Sequence, residues 1–81
     1  MNTYEMTYRT ADNMPQVIRF RYKEDLDEMC QFLAKIIASQ GVASFPDAND
    51  PNLVSLLNFN AIQVKSLSLS ILSGDDFEYD T

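Results

Sequence analysis

Apolar residues recur at every second position in two runs within the first 22 residues, and nothing else in the chain limits its fold so strongly. From Thr3 to Thr10 they fall at Tyr4, Met6 and Tyr8, with Thr3, Glu5, Thr7 and Arg9 between them. Ile18, Phe20 and Tyr22 repeat the pattern against Val17, Arg19 and Arg21. A period of two sends alternate side chains to opposite faces of a strand. Ala11-Asp12-Asn13-Met14-Pro15, between the runs, is rich in turn formers. The two runs predict an antiparallel hairpin in which Tyr4 meets Tyr22, Met6 meets Phe20 and Tyr8 meets Ile18 on one face, and Glu5 meets Arg21 on the other. Cross-strand pairs of this kind contribute roughly 0.2–1 kcal/mol each. A slip of one residue would put the two apolar sets on opposite faces.

The period then changes. After Lys23, Glu24, Asp25, Asp27 and Glu28, apolar residues come at Leu26, Met29, Cys30, Leu33, Ile36 and Ile37, steps of three and four that make one helical stripe. Acids in the first turn suit the positive end of the helix dipole, and Asp25 with Glu28 has the spacing of a capping box. Gly41 is expected to take the left-handed conformation that ends the helix, which is placed at about residues 24–40. Phe32 lies off the centre of the stripe and is a candidate for contact outside the core.

Val42 to Phe45 suits a short extended piece. Pro46 to Asn52 is turn-rich, and Asp50-Pro51 reads as an N-cap and first helical residue, so a second helix is expected at about 51–58 with Leu53, Val54, Leu56 and Leu57 inward. From Ala61 the period returns to two, but Ile62 and Val64 are out of phase with Leu67, Leu69 and Ile71. A strand over about 61–72 with a bulge near Lys65 and Ser66 accounts for the change, and Ser66, Ser68 and Ser70 line its wetter face. Gly74 to Thr81 breaks the strand and carries four acids, so a mobile tail is expected.

The 81 residues make one domain, 1–73, plus the tail, 74–81. A domain this short buries only about 60–65% of its unfolded surface, and with one cysteine and no histidine it has neither a disulfide nor a zinc site to reinforce it. Self-association or partner binding is the remaining source of stability, and a homodimer fits. No basic-then-apolar leader and no long apolar run is present, so a soluble, cytoplasmic protein is expected. Met1 opens directly into the first strand, which reads as a complete small gene product. The net charge of −6 is uneven: residues 1–23 carry +2 and residues 24–81 carry −8. A negative field favours basic partners and repels nucleic acid.

Catalytic constellations are absent. The usual general base, histidine, is missing. Cys30 falls inside the apolar stripe, where burial would raise its pKa and leave it inert. Lys65 and Ser66 are strand neighbours aimed at opposite faces. Asp47 and Asn49 open like a calcium loop, but Pro51 stands where a third oxygen is needed, Asn52 replaces the glycine and no closing Glu follows. Two glycines cannot build a phosphate loop. Arg9, Arg19 and Arg21 form a basic strand face, but the aromatics that would stack on RNA bases lie on the other face.

The tail is more informative. Phe77 and Tyr79 alternate with Asp76, Glu78 and Asp80, which in an extended chain puts two rings on one side and three acids on the other. Such a segment suits edge-strand addition or groove docking. The expected architecture is α+β: an antiparallel sheet of three or four strands, the hairpin beside the 61–72 strand, with the 24–40 helix on one face. Phe32, Phe45 or Phe59 are expected to stay exposed. The expected function is a noncatalytic protein-binding module, a small acidic regulator or inhibitor of the bacterial or phage kind, acting without cofactor or metal on a basic or nucleic-acid-binding partner. Its contact residues would be Glu24, Asp25, Asp27, Glu28, Phe32, Asp76, Phe77, Glu78, Tyr79 and Asp80. The alternatives are a self-associating assembly subunit and a nucleic-acid binder through Arg9, Arg19 and Arg21.

Overall fold

The computed structural model describes residues 1–73, and the predicted tail lies outside the described residues. The two period-two runs form β1 (Asn2–Arg9) and β2 (Pro15–Tyr22), an antiparallel hairpin. Its turn closes with Asn13 N–H donating to the Thr10 carbonyl at 2.8 Å and Asn13 in the left-handed region at φ 65°, which asparagine tolerates. The register differs from the expected one by two residues: Tyr4 opposes Phe20, Met6 opposes Ile18, and Glu5 opposes Arg19. A shift of two leaves every side chain on its face, so periodicity could not distinguish the two registers. Packing does, because this register stacks the Tyr4 and Phe20 rings with centroids 5.6 Å apart.

The helix α1 runs Leu26–Ser39. Asp25 caps it: Glu28 N–H donates to the Asp25 carboxylate at 2.8 Å, and Asp25 N–H donates to Glu28 at 3.1 Å. A cap of this kind contributes about 1 kcal/mol. The helix ends one residue earlier than expected, with Gln40 and not Gly41 left-handed at φ 55°. Gln40 N–H and Gly41 N–H satisfy the carbonyls of Ile37 and Ile36 at 3.1 and 3.0 Å. The buried line of the helix is Met29 and Leu33, with Phe32, Ile36 and Ile37 half-buried beside it. The packed face is therefore turned toward Phe32, which leaves Cys30 exposed on the opposite flank.

Beyond α1 come β3 (Val42–Pro46), β4 (Val54–Asn58), α2 (Phe59–Ile62) and β5 (Ser66–Ser73). The 51–58 span predicted as helix is turn and strand. Asp47 uses its carboxylate to accept the N–H groups of Asn49 and Asp50, both at 2.9 Å, and Asp50 accepts from Asn52 at 2.9 Å. These side-chain bonds build a hairpin loop instead of a helix cap. The strand that follows pairs antiparallel with β3, Phe45 opposite Ser55 and Val42 opposite Asn58. A short second helix does exist, but it begins at Phe59, just past the predicted span: Asn58 caps α2 by accepting from Asn60 N–H at 3.1 Å and Ala61 N–H at 3.3 Å. Ile62 and Val64 thus precede β5, and the change of phase at Lys65 marks a helix-to-strand junction. The bulge lies elsewhere, at Leu72, because Thr3 opposes Ser73 while Tyr4 opposes Ile71.

The main sheet has the order β2-β1-β5, all antiparallel, and β3-β4 forms a second two-stranded sheet. The two meet where Asp47 bridges to Phe20 and Ala48 N–H donates to the Arg19 carbonyl at 3.1 Å. That contact covers the outer edge of β2 at Arg19 and Phe20. Tyr4, Met6, Tyr8, Phe20, Met29, Leu33, Ala43, Phe45 and Phe59 form the core. Phe45 and Phe59, expected at the surface, are 0% and 3% exposed: Phe45 closes the gap between the sheets with its centroid 4.8 Å from Phe20, and Phe59 anchors α2. Among the described residues no helix is long and apolar enough to cross a membrane.

Candidate partner-binding site

The acidic run begins where β2 gives way to α1, and the N-terminus of β1 holds it in place. Asn2 Nδ2 donates to the Glu24 carbonyl at 2.8 Å, and the Tyr4 hydroxyl donates to the same oxygen. Glu24 is half-buried, while Asp25, Asp27 and Glu28 are exposed. Asp25 and Glu28 form the capping box, and Asp27 accepts from Gln31 Nε2 at 3.2 Å. Four carboxylates therefore line one end of the molecule in a defined geometry.

Ser73, the last described residue, pairs with Thr3, at this same end. The chain leaves the sheet beside the carboxylates of the helix start, with Gly74 to Thr81 still to follow. Asp76, Phe77, Glu78, Tyr79 and Asp80 lie outside the described residues; the pairing fixes only that the described chain ends beside Thr3, next to the Asn2 that holds Glu24. Arg21, opposite Thr3, and Lys23 share this end and temper its charge. Phe32 is not part of it as a free ring. It is half-buried, with its centroid 6.0 Å from Tyr22, and belongs to a run of rings from Tyr4 through Phe20, Phe45 and Tyr22.

The negative end acts on its neighbours. Burial raises the pKa of Tyr4, and the charges of Asp25 and Glu24 raise it further against the opposing hydrogen bond from Asn2. Tyr22 is raised in the same way, by burial and then by Glu24, while its hydrogen bond to the Ser44 carbonyl opposes the shift. Because the folded values lie above the unfolded one, this stabilisation is whole below about pH 10 and drains away as pH rises from there toward the folded values. In a phenolate absorbance titration, the signals removed by Tyr4→Phe and by Tyr22→Phe should come in above the ordinary phenol value. Ordinary titration of both phenols would show that the helix start is not packed against them.

The arginine face lies on the opposite side of the sheet from α1. Arg19 Nε pairs with Glu5 at 2.9 Å, and Arg9 Nη1 donates to the Asn13 carbonyl at 3.2 Å. The Glu5 partner is thus Arg19, where Arg21 was expected, and exposed pairs like this contribute about 0–1 kcal/mol. Thr3, Thr7, Ser66, Ser68 and Ser70 fill much of the rest of that face, and its strands place no aromatic ring there.

Two features escaped the sequence. Cys30, Leu33, Ala34, Ile37, Leu67 and Leu69 line a groove of about 240 Å³ between α1 and β5, and the exposed Cys30 thiol stands in it, where a buried one was expected. The outer face of β3-β4 carries Val42, Val54 and Leu56, which are 59%, 51% and 70% exposed. A helix was expected over 51–58, with Val54 and Leu56 turned inward. Among the described residues no group of three or more acidic or cysteine side chains is gathered to hold a metal ion. No protein-family model, curated protein or solved structure matches this chain, so its α+β architecture, and the acidic end which that architecture assembles, are what there is to reason from.

Proposed function

We propose that this protein is a noncatalytic, cytoplasmic protein-binding module, a small acidic regulator or inhibitor of the bacterial or phage kind. Its acidic end would meet a basic partner, such as a protein that itself binds nucleic acid. One observation carries the reading: the Thr3–Ser73 pairing and the Asn2–Glu24 hydrogen bond gather at one end the helix-start acids and the exit point of the acidic tail. Clustered like charge speeds and orients encounter with a surface of opposite sign, and contributes more to rate and specificity than to affinity.

The test is an affinity pulldown from lysate of the source cell, with the natural chain and with Glu24→Lys, Asp27→Lys as bait. This pair reverses charge but leaves the Asp25–Glu28 capping box in place. The natural chain should enrich one basic protein whose recovery falls as salt is raised and is lost with the reversed bait. Equal recovery by both baits would end the reading.

A second reading, a self-associating assembly subunit, is favoured by the uncharged outer face of β3-β4, where Val42, Val54 and Leu56 stand in water. Recovery of nothing but further copies of the bait would select it.

A further inference from the structure

The two strands of the smaller sheet differ in what guards their outer edges. In an antiparallel pair, alternate residues turn their N–H and C=O groups toward the neighbouring strand and the others turn them away. Asp47 N–H donates to the Leu53 carbonyl and Phe59 N–H to the Gly41 carbonyl, both at 2.9 Å, so odd-numbered positions carry the β3-β4 ladder and even-numbered positions face out. On β3 the outward positions are Val42, Ser44 and Pro46, and that edge is occupied. The Ser44 carbonyl accepts from the Tyr22 hydroxyl, Pro46 has no N–H, and the next residue, Asp47, bridges to Phe20. On β4 they are Val54, Leu56 and Asn58, and β4 ends its sheet with no neighbour among the described residues. Val-Ser-Leu-Leu-Asn has neither the charge nor the proline that usually guards such an edge against pairing.

We propose that β4 pairs with β4 of a second copy of this chain, antiparallel about a two-fold axis at Leu56, so that the two small sheets become one sheet of four strands. Three observations select a second copy as the occupant. Leu56 is the middle residue of β4 and turns both its N–H and its C=O outward, so in this register it exchanges two hydrogen bonds with its own copy, and the edge is self-complementary. The side chains agree with the backbone. Val54 and Leu56 are 51% and 70% exposed, on the same outer face as Val42 at 59%, and the pairing sets the two Leu56 side chains side by side and makes that apolar row continuous across the joined sheet. Charge makes the third case. Two copies that each carry −6 repel, so a contact between them forms where charge is absent. β3 and β4 carry none, and Asp47 and Asp50 lie in the loop that joins them. Antiparallel pairing sends the two loops to opposite ends of the joined sheet, each toward the uncharged Asn58-to-Ile62 end of the other copy, whereas parallel pairing would bring loop against loop.

The inference deepens the self-association reading, on which it rests, and owes nothing to the acidic end. A five-residue edge is small beside the roughly 800 Å² per partner of a standard interface, so the dimer is a weak one, with a Kd on the order of 10–100 µM.

Sedimentation equilibrium of the full chain, over concentrations that span this Kd, tests the pairing. Leu56→Lys and Leu56→Glu keep the backbone and alter a side chain that is 70% exposed in the single copy, so both variants should fold, which circular dichroism checks. Each puts like charges directly opposite one another in the dimer, and each alone should associate roughly tenfold more weakly than the natural chain. An equimolar mixture of the two should recover the dimer, because residue 56 faces itself and every lysine then meets a glutamate. A natural chain that stays monomeric over the whole range would overturn the proposal and the self-association reading with it. Dimers that form equally well from both charged variants, or weakened variants that do not recover on mixing, would overturn the pairing at Leu56 and leave self-association through another surface.

Discussion

Replacing Phe20 by alanine should lower the free energy of unfolding by about 3–5 kcal/mol, the cost of emptying a fully buried aromatic site. Phe20 is 0% exposed and is in ring contact with Tyr4, Tyr22 and Phe45 at centroid distances of 5.6, 5.6 and 4.8 Å. It also carries the backbone bridge to Asp47, where the two sheets join. At about 0.05–0.15 kcal/mol per residue a chain of 81 residues has about 4–12 kcal/mol in total. The variant should therefore be marginal at room temperature, with its thermal midpoint lowered by about 15–30 °C. Urea titration followed by circular dichroism measures this, and a loss below about 1 kcal/mol would mean the rings do not pack as described.

Phe45→Ala should cost about the same, roughly 3–5 kcal/mol, and it tests a different claim. With one long helix to cover so apolar a chain, Phe45 was expected at the surface, but it is 0% exposed and touches both Phe20 and Tyr22. If β3-β4 is part of one cooperative core, the natural chain and the variant unfold in a single transition seen alike by far-ultraviolet circular dichroism and tyrosine fluorescence. The double variant with Phe20→Ala should then show a coupling of about 0.5–1.5 kcal/mol. A small cost, or two separate transitions, would show that the second sheet is an appendage to the first.

The residues that local physics governs were legible. Alternation at Tyr4, Met6 and Tyr8 and at Ile18, Phe20 and Tyr22 required a hairpin with one buried face, and those faces are as expected. Asp25 and Glu28 stood at the spacing of a capping box and form one. The three- and four-residue steps from Leu26 to Ile37 required an amphipathic helix. Ser66, Ser68 and Ser70 are exposed while Leu67, Leu69 and Ile71 are half-buried, as their alternation implied.

Other features depended on contacts between distant residues. Two registers of the hairpin satisfy the same alternation, and stacking of Tyr4 on Phe20 selects between them. Asp50-Pro51 is chemically competent to begin a helix, but Asp47 turns the chain first and β3 supplies a pairing partner 12 residues before. Cys30 and Phe32 flank the same stripe. Which of them is covered depends on how α1 rolls against the sheet, and the roll is toward Phe32 because Tyr22 is there to meet it. The acidic end shows the same division of labour. Its carboxylates are plain in the sequence, but only the Thr3–Ser73 pairing and the Asn2–Glu24 bond place the helix start beside the exit of the tail. Alternation, capping and turn chemistry act over a few residues and so can be read from the chain by itself, whereas register, helix roll and the meeting of remote segments are settled by which packing buries the rings best, and that exists only once the chain has closed on itself.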